Sequence, residues 1–247
     1  MRSLSTLLAL LALGLAPLRA EETQGLIFPI KTVSISSPVV VQEVIDAINV
    51  EEGNQVTEGQ VLVQLRNAKE KLTVKEYERV VEATEFAYKG AKSLFDQKMG
   101  SKEMFLKADT EWQRAKIQLQ LAEEQLKEKT VRAPLSGVIV KKYKEAGESV
   151  DRGEKLVDIV NFDQVYVRFY VDPKLIMVLK EQEPVTIRVP VMNDAQFTGK
   201  INFIDPRIEA SSGLFQIKVL IENPDHKIKA GMRALSDFTK RKLQAER

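Results

Sequence analysis

The stretch Glu52-Gly53-Asn54-Gln55-Val56-Thr57-Glu58-Gly59-Gln60-Val61-Leu62-Val63-Gln64-Leu65 decides how this chain folds, because its pattern occurs twice. It returns 94 residues later as Ala146-Gly147-Glu148-Ser149-Val150-Asp151-Arg152-Gly153-Glu154-Lys155-Leu156-Val157-Asp158-Ile159. Gly53, Val56, Gly59, Leu62 and Leu65 align with Gly147, Val150, Gly153, Leu156 and Ile159. The glycines permit positive-φ turns, the valine between them is an anchor, and the following Leu-x-x-Leu/Ile opens a strand with a buried face. Upstream, Val44-Ile45 and Val138-Ile139 keep the same offset and read as preceding strands. Two such halves build one small β-sandwich, over residues 38–67 and 130–160.

Residues 68–129, between the halves, have a different composition. They contain no proline, and 25 of the 62 are charged. Phe105, Ala108, Trp112, Ala115, Leu119, Ala122 and Leu126 recur at alternating steps of three and four, the spacing of a coiled-coil seam. In the first part, Val80, Ala83, Ala87, Gly90 and Leu94 offer the matching seam, with the small residues Ala83, Ala87 and Gly90 opposite Trp112 and Leu119. Met99-Gly100-Ser101 separates the two rows, with Gly100 expected to close one helix and Ser101 to N-cap the next. The segment is read as an antiparallel hairpin of two helices, each roughly 42–45 Å long. Its tip lies far from the sandwich.

The C-terminal third is rich in β-branched and aromatic runs: Gln164–Val171, Val185–Met192, Phe197–Asp205, Leu214–Glu222 and Arg233–Thr239. Asp172–Gln182 reads as one short helix, N-capped by Asp172 with Pro173 at its first position. With Leu26–Ile35 as a further strand, residues 25–37 and 161–239 make a closed barrel of about six strands. The fold class is therefore mixed: β plus an α-hairpin. The tail, residues 240–247, is basic and polar.

The N-terminus has the order of an export signal: Arg2, the apolar run Leu4–Leu18, then Ala20 before Glu21-Glu22. Residues 1–20 are read as a signal peptide cleaved after Ala20, with an uncleaved inner-membrane anchor as the alternative. Composition narrows the chemistry. With 37 basic and 35 acidic residues, the net charge is +2, and nucleic acid is not an expected partner. Removing the signal takes Arg2 and Arg19 and leaves the charge balanced. The absence of cysteine excludes disulfides, thiolate metal sites, a thiol nucleophile and a lipidated N-terminal cysteine. The one histidine, His226, sits in the Asn223–Gly231 turn and reads as a solvated loop residue. No catalytic motif, metal site or cofactor site is expected.

These features resemble the periplasmic adaptor, or membrane fusion protein, family of HlyD and AcrA type. The first half-motif is similar to that family's first lipoyl half. Thr130-Val131-Arg132-Ala133-Pro134-Leu135-Ser136-Gly137-Val138-Ile139 is similar to its re-entry into the second half. Ile221-Glu222-Asn223-Pro224 and Ile228-Lys229-Ala230-Gly231-Met232 resemble its barrel ending. The resemblance implies a split lipoyl-like sandwich, in which Gly53, Val56, Gly59, Gly137, Gly147, Val150 and Gly153 are structural. It implies a non-enzymatic adaptor that joins an inner-membrane pump of RND or ABC type to an outer-membrane TolC-like channel. It also implies self-association into a trimer or hexameric ring. Leu94, Lys98, Met99 and Ser101 at the hairpin tip would dock the channel.

Three departures stand beside the resemblance. Glu43 occupies a position where the family often has glycine. Gly90 stands where members that dock TolC-type channels often have arginine. The chain reads as a short form without the membrane-proximal domain. Two rivals remain: a stand-alone periplasmic accessory protein, and a lipoyl or biotinyl carrier. The carrier places its modifiable lysine in a tight turn between halves, where this chain has the helical insert, with Lys69 starting a helix.

Overall fold

The computed structural model describes residues 22–238, so the expected signal and basic tail lie outside the described residues. The strands are β1 (Glu22–Ser36), β2 (Glu43–Ile48), β3 (Gln55–Val56), β4 (Val61–Leu65), β5 (Thr130–Arg132), β6 (Gly137–Lys142), β7 (Ser149–Val150), β8 (Lys155–Val171), β9 (Pro184–Val189), β10 (Ala195–Ile208), β11 (Phe215–Glu222) and β12 (Arg233–Asp237). Helices α1 (Ala68–Asp96) and α2 (Lys102–Glu128) lie between β4 and β5. Residues 22–28, 165–222 and 229–238 form one compact unit; residues 29–164 and 223–228 form the other. β1 and β8 run through both.

In the larger unit the two halves complete each other. β3 of the first half pairs with β6 of the second, Gln55 opposite Val138 and Val56 opposite Gly137. Reciprocally, β7 pairs with β2, Ser149 opposite Val44 and Val150 opposite Glu43. Gly53 donates its N–H to the Ile139 carbonyl, and Gly147 donates to Ile45, both at 2.8 Å. The repeat extends to the backbone angles: φ is +91° at Gly53 and Gly147, +80° at Gly59 and +79° at Gly153. This left-handed region is costly for residues bearing a Cβ, which explains the glycines. The anchors fill one core: Ile45, Val56, Leu62 and Leu65 with Ile139, Val150, Leu156 and Ile159, all at most 3% exposed.

The smaller unit is a closed barrel. Its strand order is β1-β12-β9-β10-β11-β8, and β1 pairs with β8 to seal the ring, so no sheet edge remains open. Alternation selects the interior. Val165, Val167, Phe169 and Val171 of β8 point inward with Phe215, Ile217, Val219 and Ile221 of β11. Phe169 meets Phe238 edge to face at 5.5 Å. The helix expected over Asp172–Gln182 shrinks to a single 3-10 turn, Pro173–Leu175. Asp172 does cap it, accepting from the Lys174 N–H at 3.0 Å. The chain then leaves the turn with only Leu175 and Leu179 buried, too little apolar surface to sustain a longer helix.

Candidate functional site

The hairpin tip is a pair of interlocking caps. α1 ends with Lys98 at φ +59°, while its N–H reaches the Phe95 carbonyl at 2.9 Å and the Met99 N–H reaches that of Leu94 at 2.8 Å. These two bonds are a Schellman cap. The left-handed residue is thus Lys98, not Gly100 as expected. Gly100 serves close approach instead: a Cβ there would lie 3.1 Å from Leu94 Cβ. Ser101 N-caps α2, its Oγ accepting the Met104 N–H at 3.1 Å. Between these caps Lys98, Met99 and Ser101 are exposed, and Leu94 beside them is 41% exposed.

Beneath the tip the helices pack through aromatic rings. Phe95 stacks on Phe105 at 5.4 Å and Tyr88 on Trp112 at 4.6 Å, with Tyr88 also 5.8 Å from Phe105. The Lys116 ammonium lies over the indole, 3.8 Å from its centroid. The α2 row is placed as its spacing predicts. Ala115 and Ala122 are buried, and Phe105, Ala108, Trp112, Leu119 and Leu126 are half-buried.

The α1 row is displaced by one residue. Val80, Ala83, Ala87, Gly90 and Leu94 face solvent, whereas Val74, Tyr77, Val81, Thr84, Tyr88 and Ala91 turn inward. Both rows carry three-four spacing, so periodicity alone does not separate them. Apolar area does, since burying two tyrosines and two valines removes more surface from water than one valine, one leucine, two alanines and a glycine. The inward row also runs unbroken from Val74 to Ala91, a signal present in the sequence.

At the base of the hairpin lies a cluster that sequence reasoning missed. Lys129 follows α2, is 7% exposed, and its ammonium contacts Glu43 of β2 and Glu70 of α1, the latter at 3.2 Å. Its carbonyl accepts from the Leu65 N–H at 2.8 Å and the Gln64 side chain at 2.9 Å. Burial works against the Lys129 charge, but the hydrogen bonds its ammonium donates to both carboxylates outweigh it and raise the pKa above the usual lysine value. Glu43 is therefore explained. At its repeat mate Gly137, a Cβ would lie 2.5 Å from the Val160 carbonyl oxygen, because β8 continues past that point. In the first half β4 stops at Leu65 and the chain turns into α1, which leaves room for a side chain.

Cations of the second half find partners within the sandwich. Lys142 bridges Glu51 and Glu145, Lys144 pairs with Glu154, and Lys141 covers the Tyr143 ring. His226 is a partly exposed loop residue, and its Nε2 lies 2.8 Å from Asp163 Oδ1. Lys69 sits in the first turn of α1. Among the described residues, no helix is long and apolar enough to cross a membrane.

A sandwich completed by two exchanged halves, a helical hairpin inserted between them and a six-stranded barrel make the fold of the membrane fusion, or adaptor, proteins. The chain belongs to the family with CzcB-like and CusB-like domains: the CzcB-like barrel-sandwich hybrid model matches residues 31–161 and the CusB-like β-barrel model residues 164–242. The family is non-enzymatic. Among curated relatives, the cation efflux system protein CzcB of Alcaligenes sp. is 22% identical over 204 residues, covering 76% of this chain and 39% of CzcB. The antibiotic efflux pump periplasmic linker protein ArpA of Pseudomonas putida is 24% identical over 196 residues, covering 73% of this chain and 53% of ArpA. The chain thus spans about two fifths to one half of these relatives' lengths. A MacA–MexA chimera carrying the Pseudomonas aeruginosa MexA α-hairpin shares the fold with a TM-score of 0.75 at 20% identity, over 87% of this chain and 76% of the chimera.

Proposed function

We propose that this protein is the periplasmic adaptor of a tripartite exporter. It links an inner-membrane pump, of RND or ABC type, to an outer-membrane channel and helps to form the conduit between them. The observation that carries this reading is the tip, where two caps hold Leu94, Lys98, Met99 and Ser101 outward at the turn of the hairpin. Apolar and small polar groups on a capped helix pair suit helix-to-helix packing against a channel's own helices. Gly90 adds neither cation nor bulk on the same exposed row, where a Cβ would meet nothing within 4 Å. Close approach of a partner helix is therefore open at that point.

The protein works as an oligomer, a trimer or hexameric ring, exported by a cleaved signal and held at the inner membrane through its pump. Energy comes from the pump. CzcB's name points to cations and ArpA's to antibiotics, so the relatives favour export without fixing a cargo.

The chain lacks cysteine, so Met99→Cys introduces a unique thiol. Cross-linking from it in intact cells should capture an outer-membrane channel. Capture of nothing except a second copy of this chain would reject channel docking and favour a stand-alone accessory protein.

A further inference from the structure

The barrel's outer wall carries a cleft of about 320 Å³, lined by Gln24, Leu26, Phe28, Arg168, Tyr170 and Arg233 around Gly25. Its side chains come from three neighbouring strands. Leu26 of β1 stands opposite Arg233 of β12, and Arg168 and Tyr170 are the outward residues of β8. The volume is at the lower end of small-ligand sites.

The barrel's described arginines fall into two kinds. Arg188 and Arg207 each contact a carboxylate of the same protein. Arg168 and Arg233 have no such contact among the described residues, although both line one cleft. Arg168 is held by stacking instead: its guanidinium carbon lies 4.2 Å above the Phe28 ring, which in turn stacks on Tyr166 at 5.4 Å. Its Nε is buried without a hydrogen-bond partner. A stacked guanidinium keeps its charge and presents its terminal nitrogens as a rigid donor fork matched to a carboxylate or phosphate. The remaining wall is apolar and open, with Leu26 and Tyr170 each 40% exposed.

We propose that this cleft binds an amphiphilic anion: a carboxylate or phosphate group held between Arg168 and Arg233, with an adjoining aromatic or alkyl body laid against Leu26, Phe28 and Tyr170. A free metabolite and a lipid headgroup share this chemistry.

The test uses the whole protein with two probes. Phenyl phosphate, titrated with calorimetric detection, should bind saturably. Arg168→Gln and Arg233→Gln should each weaken binding about tenfold or more, as expected for loss of a charge-assisted pair. Phosphatidylglycerol vesicles, compared with phosphatidylcholine vesicles in a flotation assay, supply the second arm. Arginine-dependent binding to the anionic vesicles alone assigns the anion to a lipid, and binding of phenyl phosphate assigns it to a free ligand. Arg168→Lys keeps the charge but loses the fork, so it should recover only part of the affinity. Both arginine variants face outward, and unchanged circular dichroism would show that they fold. Failure of both probes to bind, or equal binding by folded glutamine variants, overturns the proposal. The adaptor reading would be unaffected.

Discussion

The Lys129 ammonium lies 3.2 Å from the Glu70 carboxylate, tying the end of α2 to the start of α1 at a point where the lysine is 7% exposed. Removing one member of a buried ion pair leaves the remaining charge desolvated. Lys129→Met should therefore cost about 2–3 kcal/mol in urea unfolding, somewhat below the fully buried range because Glu43 and Glu70 keep some contact with water. Replacing all three residues with apolar ones of similar size should recover most of that loss.

The position of the coiled-coil seam can be tested by a pair of charges. Ala115 is buried against α1, so Ala115→Asp should lower stability by about 3 kcal/mol and reduce helicity. Ala87 faces solvent, so Ala87→Glu should stay within about 0.5 kcal/mol of the parent protein. Reversed outcomes would restore the Val80–Ala87–Leu94 row as the seam.

Two glycines should respond in opposite directions. In Gly137→Ala the new methyl would sit 2.5 Å from the Val160 carbonyl oxygen, forcing β6 and β8 apart at their pairing. A loss of about 2 kcal/mol or more is expected, in line with overpacking. Gly90 is helical with open space around it, so Gly90→Ala should raise stability by about 0.5–1 kcal/mol. Thermal unfolding of both variants reads the contrast directly.

Acid should act through Asp158. Burial opposes its charge, but hydrogen bonds from Ser34 and from the Tyr143 hydroxyl, the latter at 2.7 Å, together with Lys155 and Lys141, hold its pKa below the ordinary value of 3.8. Its charged form is thus favoured by folding. The contribution is fully present above pH 3.8 and disappears as pH falls through the lower, folded value. The stability difference between the parent protein and Asp158→Asn should stay constant from neutral pH down to that region, then shrink. A difference that widened with acid would show the opposite sign.

The sandwich was legible in the sequence because each half states its own geometry: two glycines at fixed spacing, one valine, two strand anchors. Pairing partners follow from the repeat, and Gly53 and Gly147 donate to equivalent carbonyls. The N-cap at Ser101 was equally plain, since it depends on residues three apart. The α1 seam was not, because adjacent rows with the same period differ only in what they bury. Lys129, Glu43 and Glu70 were hidden for another reason. They lie up to 86 residues apart, and as single charges in a highly charged insert they look no different from solvated neighbours. The unpaired arginines of the barrel became visible only once the carboxylates beside Arg188 and Arg207 were placed.

The exchange of strands between halves also sets an order of events as the chain emerges where it folds. β2 and β3 emerge long before β6 and β7, the strands they pair with, so the first half must wait for residues through Val150. What fills the wait is α1 and α2, whose mutual contacts are short-range and therefore quick to form. Once they zip together, Asn67 and Lys129 are brought side by side. Closing a loop of this length would otherwise cost about 3–4 kcal/mol of chain entropy, by the logarithmic scaling with length. The arm that reaches outward in the finished molecule is, earlier in its life, the clasp that brings the two halves within reach of each other.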